Sequence, residues 1–157
     1  NRYFFVENPV KIKIEGAPEQ TAELKLHPDF PERGLRKFTT KNTFYVAEKD
    51  FNEFWDIKLN RLMDCLNFTK NKKSFVFDSL EYEKFKANGS KIIHWLPVQK
   101  DLVKIEVLMP NKEIKKGLAE PMVNNLNVGE IVQFARFGFC RLDKKETNKL
   151  LFWYTHN

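Results

Sequence analysis

The sequence is poor in cysteine and has no long apolar run, and each shortage removes a class of protein. Its two cysteines, Cys65 and Cys140, form no Cys-x-x-Cys pair, which excludes a disulfide framework and argues against a structural zinc site. We therefore expect two reduced, buried thiols in a cytoplasmic protein. No apolar stretch approaches the ~20 residues that a membrane helix needs, and the first residues lack the features of a signal peptide.

Catalytic motifs are also missing. The three histidines, His27, His94 and His156, lie before a proline in a turn, in an apolar run and next to the last residue. No serine stands in a Gly-x-Ser-x-Gly elbow, and no glycine-rich phosphate loop is present. Carboxylates are plentiful, but sequence alone does not pair them. The residues therefore predict neither catalysis by this chain nor a metal or cofactor of its own.

The composition is rich in aromatic side chains and moderately basic. Fifteen Phe, three Trp and four Tyr stand against six Gly among 157 residues, which favours β structure over a helical bundle. Lys and Arg outnumber Asp and Glu by 27 to 21, a formal charge of +6. That excess fits a polyanionic partner but does not by itself identify one.

Apolar and polar residues alternate along much of the chain, as in half-buried strands. We count about nine such runs, including residues 10–14, 22–26, 59–68, 103–107 and 131–142, which predicts an all-β sandwich or barrel. Asn88-Gly89 reads as a hairpin tip. Phe51, Phe54 and Trp55 have helical spacing, so we predict a short amphipathic helix within residues 47–56, or one that starts at Asp50 as a cap.

Basic residues adjoin aromatic ones at three places: after Arg2, at Arg36-Lys37-Phe38, and in the segment 132–139. Unpaired RNA is bound by stacking of its bases on aromatic or guanidinium planes, while polar side chains contact base edges. The alternative is that the phenylalanines fill a barrel interior. The lysine-rich runs 70–73, 112–116 and 144–145 are predicted to be solvated turns, whose other use would be contact with backbone phosphates.

Several ordered blocks carry a resemblance to a known family. Asn-Arg-Tyr-Phe-Phe-Val-x-Asn-Pro-Val-Lys at residues 1–11 resembles the start of the anticodon-binding region of archaeal and eukaryotic glutamyl-tRNA synthetases. The resemblance continues through Leu26–Pro28, Arg61–Cys65, Ile93–Pro97, Gly117–Pro121 and Gly129–Gly138. Glutaminyl-tRNA synthetases share most of these blocks, so the choice between glutamate and glutamine is left open here.

The resemblance implies two β-barrels, with a distal barrel inserted in a proximal one. Projected onto this chain, the proximal barrel comprises residues 1–53 and 110–157, and the distal barrel residues 54–109. The His-x-Gly-His motif and the Lys-Met-Ser-Lys-Ser loop of the family's catalytic domain are absent. The chain is thus expected to be no enzyme by itself; ATP and glutamate are used by the catalytic domain of the same polypeptide. From the resemblance we expect its partner to be the tRNA for glutamate or for glutamine, with no DNA or membrane partner.

The resemblance also implies four residues that contact the anticodon. Arg2 matches an arginine that reads the second and third bases, and Arg61 matches one near the first base. Gln133 and Arg136 match a glutamine and an arginine near the middle and third bases. Residues three apart lie on opposite faces of a regular strand, so the last two reach one RNA only across a bulge or a bend, which we expect near Gly138.

Two other interpretations are kept. One is the equivalent domain of a glutaminyl-tRNA synthetase. The other is a β-barrel module that binds proteins, for example one that tethers synthetases into complexes.

Overall fold

The computed structural model describes all 157 residues and confirms an all-β fold. Two short α-helices, α1 (Glu48–Glu53) and α2 (Tyr82–Asn88), and two 3₁₀ turns at Pro31–Arg33 and Pro121–Asn125 interrupt the strands. No helix is long and apolar enough to cross a membrane. The strands are β1 (Arg2–Tyr3), β2 (Phe5–Glu7), β3 (Pro9–Glu15), β4 (Gln20–Lys25), β5 (Leu35–Thr40), β6 (Thr43–Ala47), β7 (Leu59–Leu62), β8 (Leu66–Asn71), β9 (Ser74–Ser79), β10 (Gly89–Ile93), β11 (Leu96–Pro97), β12 (Val103–Leu108), β13 (Ile114–Ala119), β14 (Ile131–Phe134), β15 (Gly138–Lys145) and β16 (Leu150–His156).

The chain folds into two compact units. The first contains Asn1–Pro9, Lys25–Arg36 and Gln99–Asn157, and the second contains Val10–Leu24 and Lys37–Val98. Each unit is a group of segments that pack mainly against one another, and its bounds differ from those of the barrels expected from the family resemblance. The assignment of residues 54–109 to a distal barrel stays a prediction.

The first unit is built on one seven-stranded sheet whose order is β1-β14-β15-β16-β12-β13-β2. β1 pairs in parallel with β14 at one edge, and β2 pairs antiparallel with β13 at the other. Only Phe4 separates β1 from β2. Both edge strands therefore belong to one continuous stretch of chain, so the sheet curls round on itself as a partial barrel does.

Aromatic rings fill the interior of this sheet. The ring of Phe134 lies 5.4 Å from that of Phe5 and 5.1 Å from that of Phe152, and all three side chains are buried. Gly117 allows β13 to approach β2, because a Cβ at this position would lie 2.0 Å from the carbonyl oxygen of Val6. The core of the first unit thus depends on close contact with the strands at the amino end.

A buried ion pair fixes the amino-terminal stretch. The carboxylate of Glu120 accepts hydrogen bonds from Arg36 Nε at 2.8 Å and Nη2 at 2.9 Å, and from the backbone N–H of Phe4 at 2.7 Å. Arg36 and Glu120 are 2% and 1% exposed, and the Arg36 guanidinium also lies over the Phe4 ring. The Glu120 carboxylate therefore satisfies the backbone N–H of the single residue that separates the two edge strands.

The second unit contains a seven-stranded sheet of order β10-β7-β8-β9-β3-β6-β11. Trp95 is fully buried within it, packs against Phe38 and Phe44, and donates its indole N–H to the Met63 carbonyl at 2.9 Å. Lys91 Nζ lies 2.8 Å from both Asp50 Oδ1 and Glu53 Oε2, which ties α1 to β10.

Most of the alternating runs are strands, but turns divide two of them. The run 59–68 separates into β7 and β8, and the run 131–142 separates into β14 and β15. Alternation continues through the short turns, so the pattern alone does not reveal the division. The lysine-rich segment 112–116 was expected to be a solvated turn, yet β13 begins inside it at Ile114.

The helix predictions needed more correction. Asn88-Gly89 is not a hairpin tip: Asn88 ends α2, which has a single buried residue, Phe85, and hence no apolar periodicity. α1 begins at Glu48 rather than at Asp50 and ends at Glu53. Trp55, expected on the buried face of that helix, lies beyond it and is 70% exposed.

Both thiols are buried, as predicted, and burial raises the pKa of Cys65 and of Cys140 to about 12. The thiolate is the reactive form, so at pH 8 we expect Ellman's reagent to label neither cysteine in the native chain and both in guanidinium. The thiols of the unfolded chain have the ordinary, lower pKa, so the unfolded chain loses their protons at a lower pH than the native chain does. The free energy of unfolding therefore falls as the pH rises above 9. Fast labelling of native protein would contradict the structure.

The Glu120 contacts predict a large effect on stability. Glu120→Gln leaves a buried guanidinium without its counter-charge, so the free energy of unfolding in urea should fall by about 3–5 kcal/mol. Glu19→Gln is the matched control, because Glu19 lies 3.9 Å from Lys41 and both side chains are about three-quarters exposed; there we expect under about 1 kcal/mol. Equal losses for the two variants would contradict this role for Glu120.

Candidate nucleic-acid interface

Arg2 and Gln133 lie side by side in the first unit. They are register partners in the parallel pair β1–β14, and Arg2 Nε donates to Gln133 Oε1 at 3.0 Å. The backbone of Arg2 is held by a hydrogen bond from its N–H to the Leu26 carbonyl at 2.7 Å. Both side chains are half-buried. The bond uses one of the five guanidinium N–H groups, so the others and the Gln133 amide N–H groups are available to a ligand.

A cavity of about 200 Å³ adjoins this pair. The ring of Phe139 contributes to its wall, because Phe139 is the register partner of Gln133 in the β14–β15 pair. His27 contributes a second ring, and its Nδ1 accepts a hydrogen bond from the Asp29 N–H at 3.1 Å. The cavity thus combines a guanidinium, an amide and two rings, a set that can contact both the edge and the face of a planar heterocycle.

Sequence reasoning missed His27 and Phe139 as parts of this site. His27 was interpreted only as a turn residue, and Phe139 only as one of several phenylalanines in the segment 132–139. The hairpin register would have placed Phe139 opposite Gln133, but that register depends on where the turn lies.

Arg136 lies in the turn between β14 and β15 rather than on a strand. The Phe137 N–H bonds the Phe134 carbonyl at 2.9 Å, and Arg136, at the third position of this turn, has φ +62°. Type II turns have positive φ there, which favours glycine. The turn at residues 135–137 is the bend that we expected near Gly138, and it leaves the Arg136 side chain exposed.

Arg136 follows the strand that pairs with Arg2, and backbone hydrogen bonds hold that strand against the amino-terminal residues. The Ala135 N–H bonds the Tyr3 carbonyl at 3.0 Å, and the Gln133 N–H bonds the Asn1 carbonyl at 2.9 Å. Arg2, Gln133 and Arg136 therefore occupy one edge region of the sheet, where the amino-terminal strand meets the β14–β15 hairpin.

Arg61 belongs to the second unit and is 7% exposed. Its Nη1 donates to Asn67 Oδ1 at 2.9 Å and to the Leu80 carbonyl at 3.0 Å, and its guanidinium lies over the Tyr82 ring. These contacts join β7 to β8 and to the segment between β9 and α2. Arg61 thus has a structural role, and its contact with RNA stays a prediction.

Other basic and aromatic neighbours in the sequence are buried. Tyr3, Phe4 and Phe5 are core residues, and so are Arg36 and Phe38. For these two clusters the barrel-interior interpretation is correct, which leaves the region of Arg2, Gln133 and Arg136 as the candidate among the three places that the sequence indicated.

Comparison with known proteins identifies the family. Residues 1–90 and 92–143 match two profiles that are both described as the anticodon-binding domain of class I tRNA synthetases (E and Q). The chain is also 41% identical to a glutamate–tRNA ligase of Methanocaldococcus jannaschii over 99% of its length, and 41% identical to that of Pyrococcus horikoshii. The glutamate–tRNA ligase of Methanosphaera stadtmanae is 37% identical over the whole chain.

The chain spans only a part of these relatives, 28% of the first two and 29% of the third. The matched part is the region that the two profiles describe, and together the profiles account for nearly the whole chain. This chain therefore belongs to the family of anticodon-binding domains of class I tRNA synthetases of the E and Q type.

Proposed function

We propose that this domain binds the anticodon loop of a tRNA and that the cavity beside Arg2 and Gln133 accepts one unstacked anticodon base. The observation that carries the proposal is the hydrogen-bonded Arg2–Gln133 pair in the wall of a cavity that His27 and Phe139 also line. The parent protein would be a glutamate–tRNA ligase, whose catalytic domain, outside this chain, uses ATP and glutamate to charge the bound tRNA.

The chemistry of the pair suits a base edge. The Gln133 amide donates and accepts at once, as the Watson–Crick edge of a pyrimidine requires, and its bond to Arg2 fixes the orientation of the amide. The remaining guanidinium N–H groups reach a base carbonyl or a phosphate oxygen. Holding the two side chains together before binding lowers the entropy that is lost when the complex forms.

Arg136 supplies a second cation beyond the cavity. Because the turn projects it outside the sheet, we assign it to the third anticodon base or its phosphate. Arg61 acts indirectly in this proposal, by fixing β7 through Asn67 and Leu80. These assignments rest on the resemblance together with the exposure of each side chain.

Glutamate is favoured over glutamine as the amino acid because the relatives described above are named glutamate–tRNA ligases. A glutaminyl-type parent would bind the glutamine tRNA at the same region. A protein-binding module would not need the Arg2–Gln133 cavity at all, so RNA binding separates these alternatives.

Arg2→Ala tests the cavity. By analogy with base discrimination on DNA, loss of a bidentate contact costs about 1–3 kcal/mol, so binding of a glutamate anticodon stem-loop in a filter assay should weaken roughly 5- to 150-fold. Arg141→Ala removes an exposed arginine of the same unit from β15 and should change affinity little.

The same assay gives the salt dependence of wild-type binding. If three or four phosphates are neutralised, the log–log slope should be about −2 to −3. Absence of binding to any tRNA at low salt would overturn the proposal, and equal effects of Arg2→Ala and Arg141→Ala would exclude the cavity as the base site.

Arg136→Gly separates binding from stability. Glycine relieves the positive φ of this turn, so the free energy of unfolding should rise by about 0.5–1 kcal/mol, while affinity for the stem-loop falls. Arg136→Ala keeps the strain and should lose more affinity for the cognate anticodon than for one altered at its third base. Equal losses on both RNAs would restrict Arg136 to a backbone contact.

A further inference from the structure

Two large apolar side chains of the second unit are more exposed than any other in the chain. Trp55 is 70% exposed and Ile57 is 88% exposed, and both lie between α1 and β7. Ile57 has φ +64°, a conformation that is a genuine outlier for a β-branched residue and that costs of the order of 1 kcal/mol or more. Exposed apolar groups on a strained segment are typical of a binding surface.

The segment is held in place on both sides of Trp55. Phe54 is buried, and its ring lies 5.6 Å from Phe68 and 5.5 Å from Phe75. On the other side, the Ile57 N–H bonds the Lys70 carbonyl at 2.8 Å. Since its neighbours are anchored to the sheet, the indole of Trp55 is presented to solvent by the fold.

Lysines lie on both of the chain segments that meet at the Ile57–Lys70 bond. Lys58 directly follows Ile57. Lys70 lies near the end of β8, and the tip of the β8–β9 hairpin carries Lys72 and Lys73. Lys58, Lys72 and Lys73 are exposed. Lys72 and Lys73 are two and three residues beyond Lys70, and a strand rises about 3.4 Å per residue. The hairpin tip is therefore near the Ile57–Lys70 hydrogen bond. Asp56 is the acidic residue of the segment, and it lies 3.8 Å from Lys70 Nζ.

We propose that Trp55 is a stacking platform for one unpaired nucleotide of a bound RNA, with Lys58, Lys72 and Lys73 contacting its phosphates. This rests on the proposed function, because the RNA is the same tRNA. A flat aromatic face beside several cations is the combination that binds unpaired nucleic acid without reading its sequence. A protein partner with an apolar patch would not require a cationic surround, so charge complementarity favours the polyanion.

Tryptophan fluorescence provides a direct test, since Trp95 is fully buried and Trp153 is 47% exposed. Titration of the chain with the glutamate anticodon stem-loop should quench its emission. Trp55→Phe should abolish most of that quenching, and Trp153→Phe, the matched control in the first unit, should preserve it. Quenching that survives Trp55→Phe would overturn the proposal.

Affinity provides the second test. Trp55→Ala should weaken binding about 5- to 100-fold, as expected for loss of one base–aromatic stack, and Trp55→Phe should retain most of the affinity. Lys72→Gln with Lys73→Gln should make the salt slope shallower by about 1. Urea unfolding of each variant should match the wild type, because these side chains are exposed.

The outcomes distinguish this inference from the proposed function. If Arg2→Ala weakens binding as predicted while Trp55→Ala binds like the wild type, the cavity stands and the platform is excluded. If the wild type binds no tRNA at low salt, both proposals fail.

Discussion

The buried carboxylate of Glu120 is the interaction on which the first unit depends. It is shared between the Arg36 guanidinium and the Phe4 N–H, so one side chain joins three distant parts of the chain. Phe4 lies between the strand that pairs with β14 and the strand that pairs with β13. Fixing Phe4 thereby fixes Arg2, two residues earlier, against Gln133. The geometry of the candidate base site follows from an ion pair that has no contact with the cavity.

The arginines of this chain divide by burial into two groups with different tasks. Arg36 and Arg61 are buried and satisfy carboxylate, amide or carbonyl oxygens of the protein. Arg2 is half-buried and Arg136 is exposed, and the Arg2 guanidinium has N–H groups beyond the one that bonds Gln133. Arg2 directly precedes Tyr3, and Arg36 lies two residues before Phe38. Only the partners that the fold supplies separate the roles of the two arginines.

Alternation predicted most of the strands, because one face of each packs on a core and the other meets solvent. It did not find α2, because a helix with a single buried side chain shows no apolar periodicity. It placed Trp55 on a buried helix face because Phe51, Phe54 and Trp55 have helical spacing, but the helix ends at Glu53. Glu120 and Arg36 are 84 residues apart, and nothing local indicates that they pair. Arg2 and Gln133 were predicted to act together only through family resemblance, whereas His27 and Phe139 emerged from the register of the hairpin and the position of the cavity.

The strand order also governs when each unit is completed during synthesis. The second unit ends at Val98, so all of its strands are synthesised before the last five strands of the first sheet, β12 to β16. The contact between Arg2 and Gln133 forms only after Gln133, 131 residues further along the chain, has been synthesised. The sheet is complete only when β16 is available. Contacts so distant in sequence carry a loop-closure entropy that slows their formation. The edge that carries the Arg2–Gln133 pair is consequently among the last parts of this domain to form.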